Sequence, residues 1–187
     1  MDPEAPRVAA VVLAAGASTR FGSAKQLAMV DGRPMLDAVI DVARKAGLAP
    51  IMAVVPPGLP VPPDAVPVVN DLPVEGLSRS LRLGVGALPP EVPAAVILLG
   101  DQPTIDPGLI RRLLAARGER PIVATEARGI VAPPVLLERA AFGLVEEVSG
   151  DEGLRRLLRA GSGPVATVRV ADHAPDIDRP EDLERLG

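Results

Sequence analysis

The stretch whose reading decides the fold is residues 8–25, VAAVVLAAGASTRFGSAK. It opens on an unbroken apolar run, 8–14, with no polar alternation. Such a run fits a strand buried on both faces of a parallel sheet. A Gly/Ser loop follows, from Gly16 to Lys25. Ligands of open α/β sheets bind at the carboxyl ends of their strands, where this loop begins. Gly16 and Gly22 let backbone N–H groups approach an anion with no Cβ in the way. Ser18 and Thr19 add hydroxyls, and Arg20 and Lys25 add positive charge. The spacing is not the dinucleotide G-x-G-x-x-G. Nor is it the P-loop G-x-x-x-x-G-K-[ST], because Lys25 falls three residues after Gly22. A nicotinamide enzyme and a P-loop ATPase are both disfavoured.

Working outward, Asp31-Gly32 reads as a turn and Pro34 as a helix start. Met35, Leu36, Val39, Ile40 and Ala43 recur at helical spacing, and Gly47 fits the stop. The apolar run 51–55 completes a β-loop-α-β unit, which predicts a right-handed crossover. Residues 56–67 are too Pro-rich for helix interior. A short strand is expected over 66–69 and a helix over 77–88. The strand 94–99, AAVILL, ends at Gly100-Asp101, and a helix capped by Asp106 runs to Ala116. The last third predicts strands over 121–125 and 129–132 and helices over 135–142 and 150–160. A strand over 165–170 and a closing helix over 180–186 follow. Alternating strands and helices indicate an α/β chain with a three-layer α/β/α, doubly wound, mostly parallel sheet, Rossmann-like in class. The length of 187 residues suggests a single domain. The nucleotide half is expected at about 1–118 and the acceptor half at about 119–187.

Composition narrows the chemistry. The chain has no Cys, Trp or Tyr, two Phe and one His. Thiolate nucleophiles, disulfides and Cys-ligated clusters are therefore excluded, and a two-His metal site lacks its second member. Two Phe cannot supply a base-stacking surface for single-stranded nucleic acid, and a net charge of −4 gives no basic field for a duplex. Gly and Pro are frequent, 18 and 22 residues, about a fifth of the chain. That is short of the roughly 25–30% at which disorder becomes the default. Of 20 basic residues only Lys25 and Lys45 are lysines. Lysine is a compact point charge on a thin stem, suited to a phosphate in a tight loop. Lys45 falls in a helix C-terminal turn, where the macrodipole accounts for it. Residues 1–7 are unlike a signal n-region, and the apolar stretch 8–15 is too short to span a bilayer. A soluble, cytoplasmic protein is expected, with no membrane and no nucleic-acid partner.

Several further positions carry chemistry. Asp101, at the exposed end of a core strand, is placed to hold Mg²⁺ against nucleotide phosphates. In Asp176-Ile177-Asp178 two carboxylates share one face if extended, so either could be the second ligand, although Asp178 also suits a helix N-cap. Asn70 and Ser80 can donate to and accept from a nucleobase edge. Asp151 could cap a helix and Arg155 could grip an anionic acceptor. His173 reads as part of a solvated loop.

These segments resemble the MobA-like nucleotidyltransferases. LAAGASTRFGSAK is similar to their signature loop, LLGDQP to their metal-binding strand end, and DIDRPEDL to their C-terminal DIDTPEDL. VNDLPVEGLSRSL resembles their base-contacting region. The Ala14-Ala15-Gly16 form and GDEGLRRLL look most like the molybdenum-cofactor cytidylyltransferases. One stretch departs from the pattern: Pro133 stands where that group commonly has His.

The resemblance implies transfer of CMP from CTP to a phosphorylated acceptor, molybdopterin cofactor foremost, with release of pyrophosphate. It implies Lys25, Arg20 and Asp101 as catalytic residues and Mg²⁺ on Asp101 and Asp178. Leu13, Ala14, Ala15, Gly16, Ser18, Lys25, Asn70 and Ser80 would bind the nucleotide, and Asp151 and Arg155 the acceptor. The implied partners are a nucleoside triphosphate, a small phosphorylated acceptor and a molybdoenzyme or cofactor-insertion protein. A guanylyltransferase, transfer to another small phosphorylated acceptor, and a nucleotide-binding regulator without turnover stay open as alternatives.

Overall fold

The structure is a computed structural model that describes residues 7–16, 21, 24–118, 120–150, 154–155, 158 and 165–184. Strand β1, Ala9–Leu13, is buried at all five positions. It pairs in parallel with β4, Ile51–Val55, on one side and β6, Ala94–Leu99, on the other. A short hairpin, β2 (Met29–Val30) and β3 (Arg33–Pro34), precedes helix α1, Met35–Lys45. Its turn residues Asp31 and Gly32 both have positive φ, 49° and 77°, as a two-residue hairpin turn of this hand requires. Pro34 is the residue before the helix, and Met35 is its first helical residue.

Strand β5, Val66–Val69, extends the sheet beyond β4, and helix α2, Leu77–Gly86, follows. Helix α3, Pro107–Ala115, starts as expected, with Asp106 Oδ1 accepting from Gly108 N at 2.8 Å. Strands β7 (Ile122–Ala127), β8 (Ile130–Glu138) and β9 (Val165–Arg169) and the short helix α4, Pro180–Glu184, complete the chain. The seven-stranded sheet runs β5-β4-β1-β6-β8-β7-β9. Only β8 runs antiparallel to its neighbours. The mostly parallel α/β architecture is therefore as expected.

Alternate β1 residues face opposite layers. Ala10 and Val12 pack with Leu36, Val39 and Ile40 of α1 and with Ile110 and Leu113 of α3. Val11 and Leu13 pack with Leu81 and Val85 of α2 and with Ala141 and Val145 of the 3₁₀ segment Arg139–Glu147. Among the described residues no helix is long and apolar enough to cross a membrane.

The last third departs from expectation. The helix expected over 135–142 is a strand through Glu138, continuous with the strand expected over 129–132, and then a 3₁₀ segment. Val135, Leu136 and Leu137 are all buried between β6 and β7. A short apolar run buried on every side carries no periodicity that separates helix from strand, and sheet pairing decided it. The helix expected over 150–160 falls largely outside the described residues, although Leu154, Arg155 and Leu158 are helical.

Helix α2 lies close against the sheet at Gly84. A Cβ there would overlap the Val11 side chain and come 2.9 Å from Val54 Cγ2. Helix propensity alone says that Gly→Ala in a helix gains about 1 kcal/mol. Overpacking against two stiff β-branched side chains costs about 1–3 kcal/mol. Gly84→Ala is therefore expected to be net destabilising, with a lowered urea midpoint; a raised midpoint would show that the helix can retreat without loss.

Candidate active site

The carboxyl ends of β1, β4 and β6 meet at one edge. Ala14 N donates to Val54 O at 2.8 Å, and Gly100 N donates to Leu13 O at 2.9 Å. Gly100 is required by this closeness. A Cβ on it would fall 2.6 Å from Ala14 Cβ and 3.1 Å from Leu13 O. Above this junction lies a cleft of about 450 Å³. Leu13, Ala14, Ala15 and Gly16 line it from β1, Lys25 and Gln26 from the next turn, and Ser80, Gly100 and Asp101 from the far wall.

Lys25 and Gln26 belong to one 3₁₀ turn, Lys25–Leu27, and have different tasks. Gln26 is buried, and its Nε2 donates to Ala14 O at 2.7 Å and to Gly16 O at 3.2 Å. It thus anchors two carbonyls of the glycine loop. Lys25 Nζ donates to Asp101 Oδ2 at 2.8 Å, to Asp178 Oδ1 at 3.0 Å and to Ile177 O at 3.3 Å. Burial opposes the charge on this ammonium, but hydrogen bonding and attraction from the two carboxylates outweigh it and hold Lys25 above the ordinary lysine range.

Asp178 is brought to Lys25 by the segment 174–178, which crosses the carboxyl edge of the sheet. Ile177 is buried beside Val30 and Met35, and its N–H donates to Asp101 O at 2.9 Å. Gln102 is 4% exposed, and its Nε2 donates to Asp176 Oδ1 at 2.8 Å and to Ala174 O at 3.3 Å. Burial, and then the nearby Asp101 charge, raise Asp176 above the usual carboxylate range. Asp182, inside the last helix, reaches back: its Oδ2 accepts from the Asp178 and Arg179 N–H groups at 3.1 and 2.9 Å, while Asp178 Oδ1 accepts from Lys25.

The other expected residues are placed unevenly. Ser80 lines the cleft, but Asn70 is fully buried and is not among the lining residues. Asn70 Nδ2 donates to Ser80 Oγ at 3.0 Å, and its Oδ1 accepts from Leu72 N and Arg79 Nε. Asn70 thus shapes the wall that carries Ser80. Arg155 is exposed. Ser18, Arg20 and Asp151 lie outside the described residues. His173 is not in open solvent: Nδ1 lies 3.3 Å from Thr125 Oγ1 and Nε2 lies 3.0 Å from Ile130 O. It stands beside the stretch that carries Pro133, whose carbonyl also accepts from Thr125 Oγ1 at 3.2 Å. Gln26 and Gln102 were not singled out in the sequence, and only their position next to Lys25 and Asp101 could have signalled them.

A divalent cation fits this donor set. Asp101 Oδ1 is buried without a hydrogen-bond partner, and Asp101 Oδ2 and Asp178 Oδ1 already converge on one positive charge. Among the described residues no three His, Cys, Asp or Glu side chains converge. Two carboxylates with phosphate and water completing the shell is the usual arrangement for Mg²⁺.

A glycine turn, a half-open cleft and a lysine held between two carboxylates lie together at the carboxyl edge of a mostly parallel α/β sheet. The profile of the MobA-like NTP transferase domain matches residues 10–167, and the chain belongs to that family. It is 33% identical over 94 residues to the purine catabolism protein PucB of Bacillus subtilis (strain 168), an alignment covering 49% of this chain. It spans 45% of that protein's length. Among solved structures it is similar to Rv0371c from Mycobacterium tuberculosis H37Rv, with TM-score 0.85 and 30% identity over 97% of this chain and 98% of that one. Another structure of Rv0371c is a complex with manganese, with TM-score 0.81 and 29% identity over 96% of this chain and 97% of that one. The CMP:2-keto-3-deoxy-manno-octonic acid synthetase complexed with CTP shares the fold, with TM-score 0.74 and 18% identity over 96% of each chain.

Replacing Gln102 by Leu would leave Asp176 without its amide donor and loosen the segment that carries Asp178. The expected loss is about 1–3 kcal/mol of stability. Urea unfolding measures it, and an unchanged midpoint would show that Gln102 does not anchor the segment.

Proposed function

We propose that this chain is a nucleotidyltransferase that moves a nucleoside monophosphate, CMP from CTP first, onto a phosphorylated acceptor, with molybdopterin cofactor the foremost choice. The observation that carries the reading is Lys25 between Asp101 and Asp178 at the mouth of a cleft floored by the glycine turn. In this reading residues 1–118 form the nucleotide half and residues 119–187 the acceptor half of one domain.

The chemistry is a displacement at the α-phosphorus. An oxygen of the acceptor's terminal phosphate forms a bond to it, the bond to the bridging oxygen of the β-phosphate breaks, and pyrophosphate leaves. Such transfers need positioning and charge neutralisation more than side-chain nucleophiles, which suits a chain with no Cys. The backbone N–H groups of residues 15–18 would cradle the β- and γ-phosphate oxygens, and Gln26 holds the carbonyls of Ala14 and Gly16. Lys25, joined by Arg20, neutralises charge as it develops on the leaving pyrophosphate. Asp101 and Asp178 would hold Mg²⁺, which supplies further charge neutralisation and orients the triphosphate. Ser80, supported by Asn70, faces the base, and Asp151 and Arg155 serve the acceptor.

The family pattern favours CTP, and the departure at Pro133 is the sequence feature that points instead to a nucleotide-binding regulator without turnover. Transfer from GTP, or to a different small phosphorylated acceptor, is the second reading. The cytoplasm is the proposed location, and a molybdoenzyme or cofactor-insertion protein the proposed partner.

Two measurements test this. Lys25→Ala and Asp101→Ala are each expected to lose about 2–4 kcal/mol of transition-state stabilisation, read as a fall in pyrophosphate release of a hundredfold or more with the circular dichroism unchanged. Unchanged turnover in both variants would sink the reading. In a thermal-shift panel with Mg²⁺, CTP is expected to raise the melting temperature more than GTP, ATP or UTP. A nucleotide at 100 times its Kd stabilises by roughly 2.7 kcal/mol. A larger shift with GTP would reassign the donor.

A further inference from the structure

Lys25 occupies the gap between the two carboxylates that the proposed function assigns to the divalent cation. Its Nζ is 2.8 Å from Asp101 Oδ2 and 3.0 Å from Asp178 Oδ1. A magnesium ion bound to those same oxygens would stand about 2.0–2.1 Å from each, in the space the ammonium fills. Two cations cannot share it. The gap is sheltered on the side of Lys25 and Asp101, whose side chains are 14% and 22% exposed, and open on the side of Asp178, at 47%, so water screens their repulsion only in part.

We infer that Lys25 is the resting counter-ion of the metal position, and that it must leave both carboxylates before they can hold a divalent cation. The inference rests on the assignment of Asp101 and Asp178 in the proposed function. Its consequence is an order of binding. Free metal must compete with the ammonium for the empty cleft, and the arriving triphosphate opens the position by drawing Lys25 to its own oxygens. Metal and nucleotide therefore load together.

The local structure permits this exchange. Lysine has a flexible four-carbon stem and a single charge centre, so its head can move while its backbone stays. Gln26, the next residue, fastens the 3₁₀ turn to Ala14 O and Gly16 O. Lys25 and Gly16 line the same cleft, so the head of the stem and the glycine turn face a common space. Ile177 O, which accepts from Lys25 at 3.3 Å, keeps its place when the head leaves, because Ile177 is buried and its N–H is bound to Asp101 O. The second carboxylate thus remains in position for the incoming cation.

A lysine that served only as a phosphate ligand would leave metal affinity unchanged on removal. A resting counter-ion predicts the opposite sign. The test is titration of the full chain with Mn²⁺ in the absence of nucleotide, reading free Mn²⁺ by electron paramagnetic resonance. Lys25→Met, which keeps the stem and removes the charge, is expected to bind Mn²⁺ on the order of tenfold more tightly than the wild type. Lys25→Gln serves as a second variant, and circular dichroism verifies that each is folded. Adding Asp178→Asn to Lys25→Met is expected to remove the gain. Equal or weaker Mn²⁺ binding in the folded lysine variants would overturn the inference, as would a gain that survives Asp178→Asn. The transferase reading fails separately. A wild type that transfers nucleotide while its lysine variants bind metal no better sinks only the counter-ion. Lysine variants that bind metal more tightly, beside a wild type inactive with every acceptor, support the counter-ion and sink only the transferase.

Discussion

Because every residue of β1 is buried, both its faces must be covered, and the rest of the architecture answers that demand. A strand hidden on both sides needs partners on both edges and helices on both faces. Parallel pairing with β4 and β6 brings three carboxyl ends to the same edge. The glycine turn after β1 and Asp101 after β6 become neighbours for that reason. The close approach of Gly100 to Ala14 is the tightest expression of it. The cleft is the space left above this junction.

The ionic centre depends on a second constraint, which acts at long range. Asp178 comes from the far end of the chain, beyond β9 at the opposite edge of the sheet. It reaches Lys25 because the segment before it is fastened twice, by Gln102 to Asp176 and Ala174 and by Ile177 into the small apolar cluster with Val30 and Met35. Apolar burial sets where this segment lies, and a buried amide sets its register. The charged group then falls opposite its partner with little freedom left to lose. The same fastening would keep both carboxylates in place when Lys25 moves.

Much of the site was legible as sequence because its first half is local. The apolar run, the glycine turn and the single lysine in reach all fall within residues 8–25, and Asp101 follows the next core strand directly. Asp178 was legible only as one of two carboxylates with a competing role as a cap. Asp182, four residues on, reaches back from inside the helix to the Asp178 and Arg179 N–H groups. Gln26 and Gln102 were illegible for a different reason. An amide side chain carries no chemical signature of its own, and its meaning comes from the carbonyls and carboxylates that the fold sets around it. Asn70 shows the same limit: its donors and acceptors suit a base, but burial turns them to Ser80, Leu72 and Arg79.

The sequence by itself determined the mostly parallel α/β sheet, the glycine-containing connection after its first strand and the exclusion of thiol chemistry, because these follow from local apolar runs and composition. Only the tertiary structure decided that residues 135–138 are strand, since a short apolar run takes its form from the neighbours it pairs with. Only the tertiary structure, too, set Lys25 between Asp101 and Asp178. That meeting joins three distant points of the chain, and it forms where sheet register and the anchored 174–178 segment bring the charges within hydrogen-bond reach.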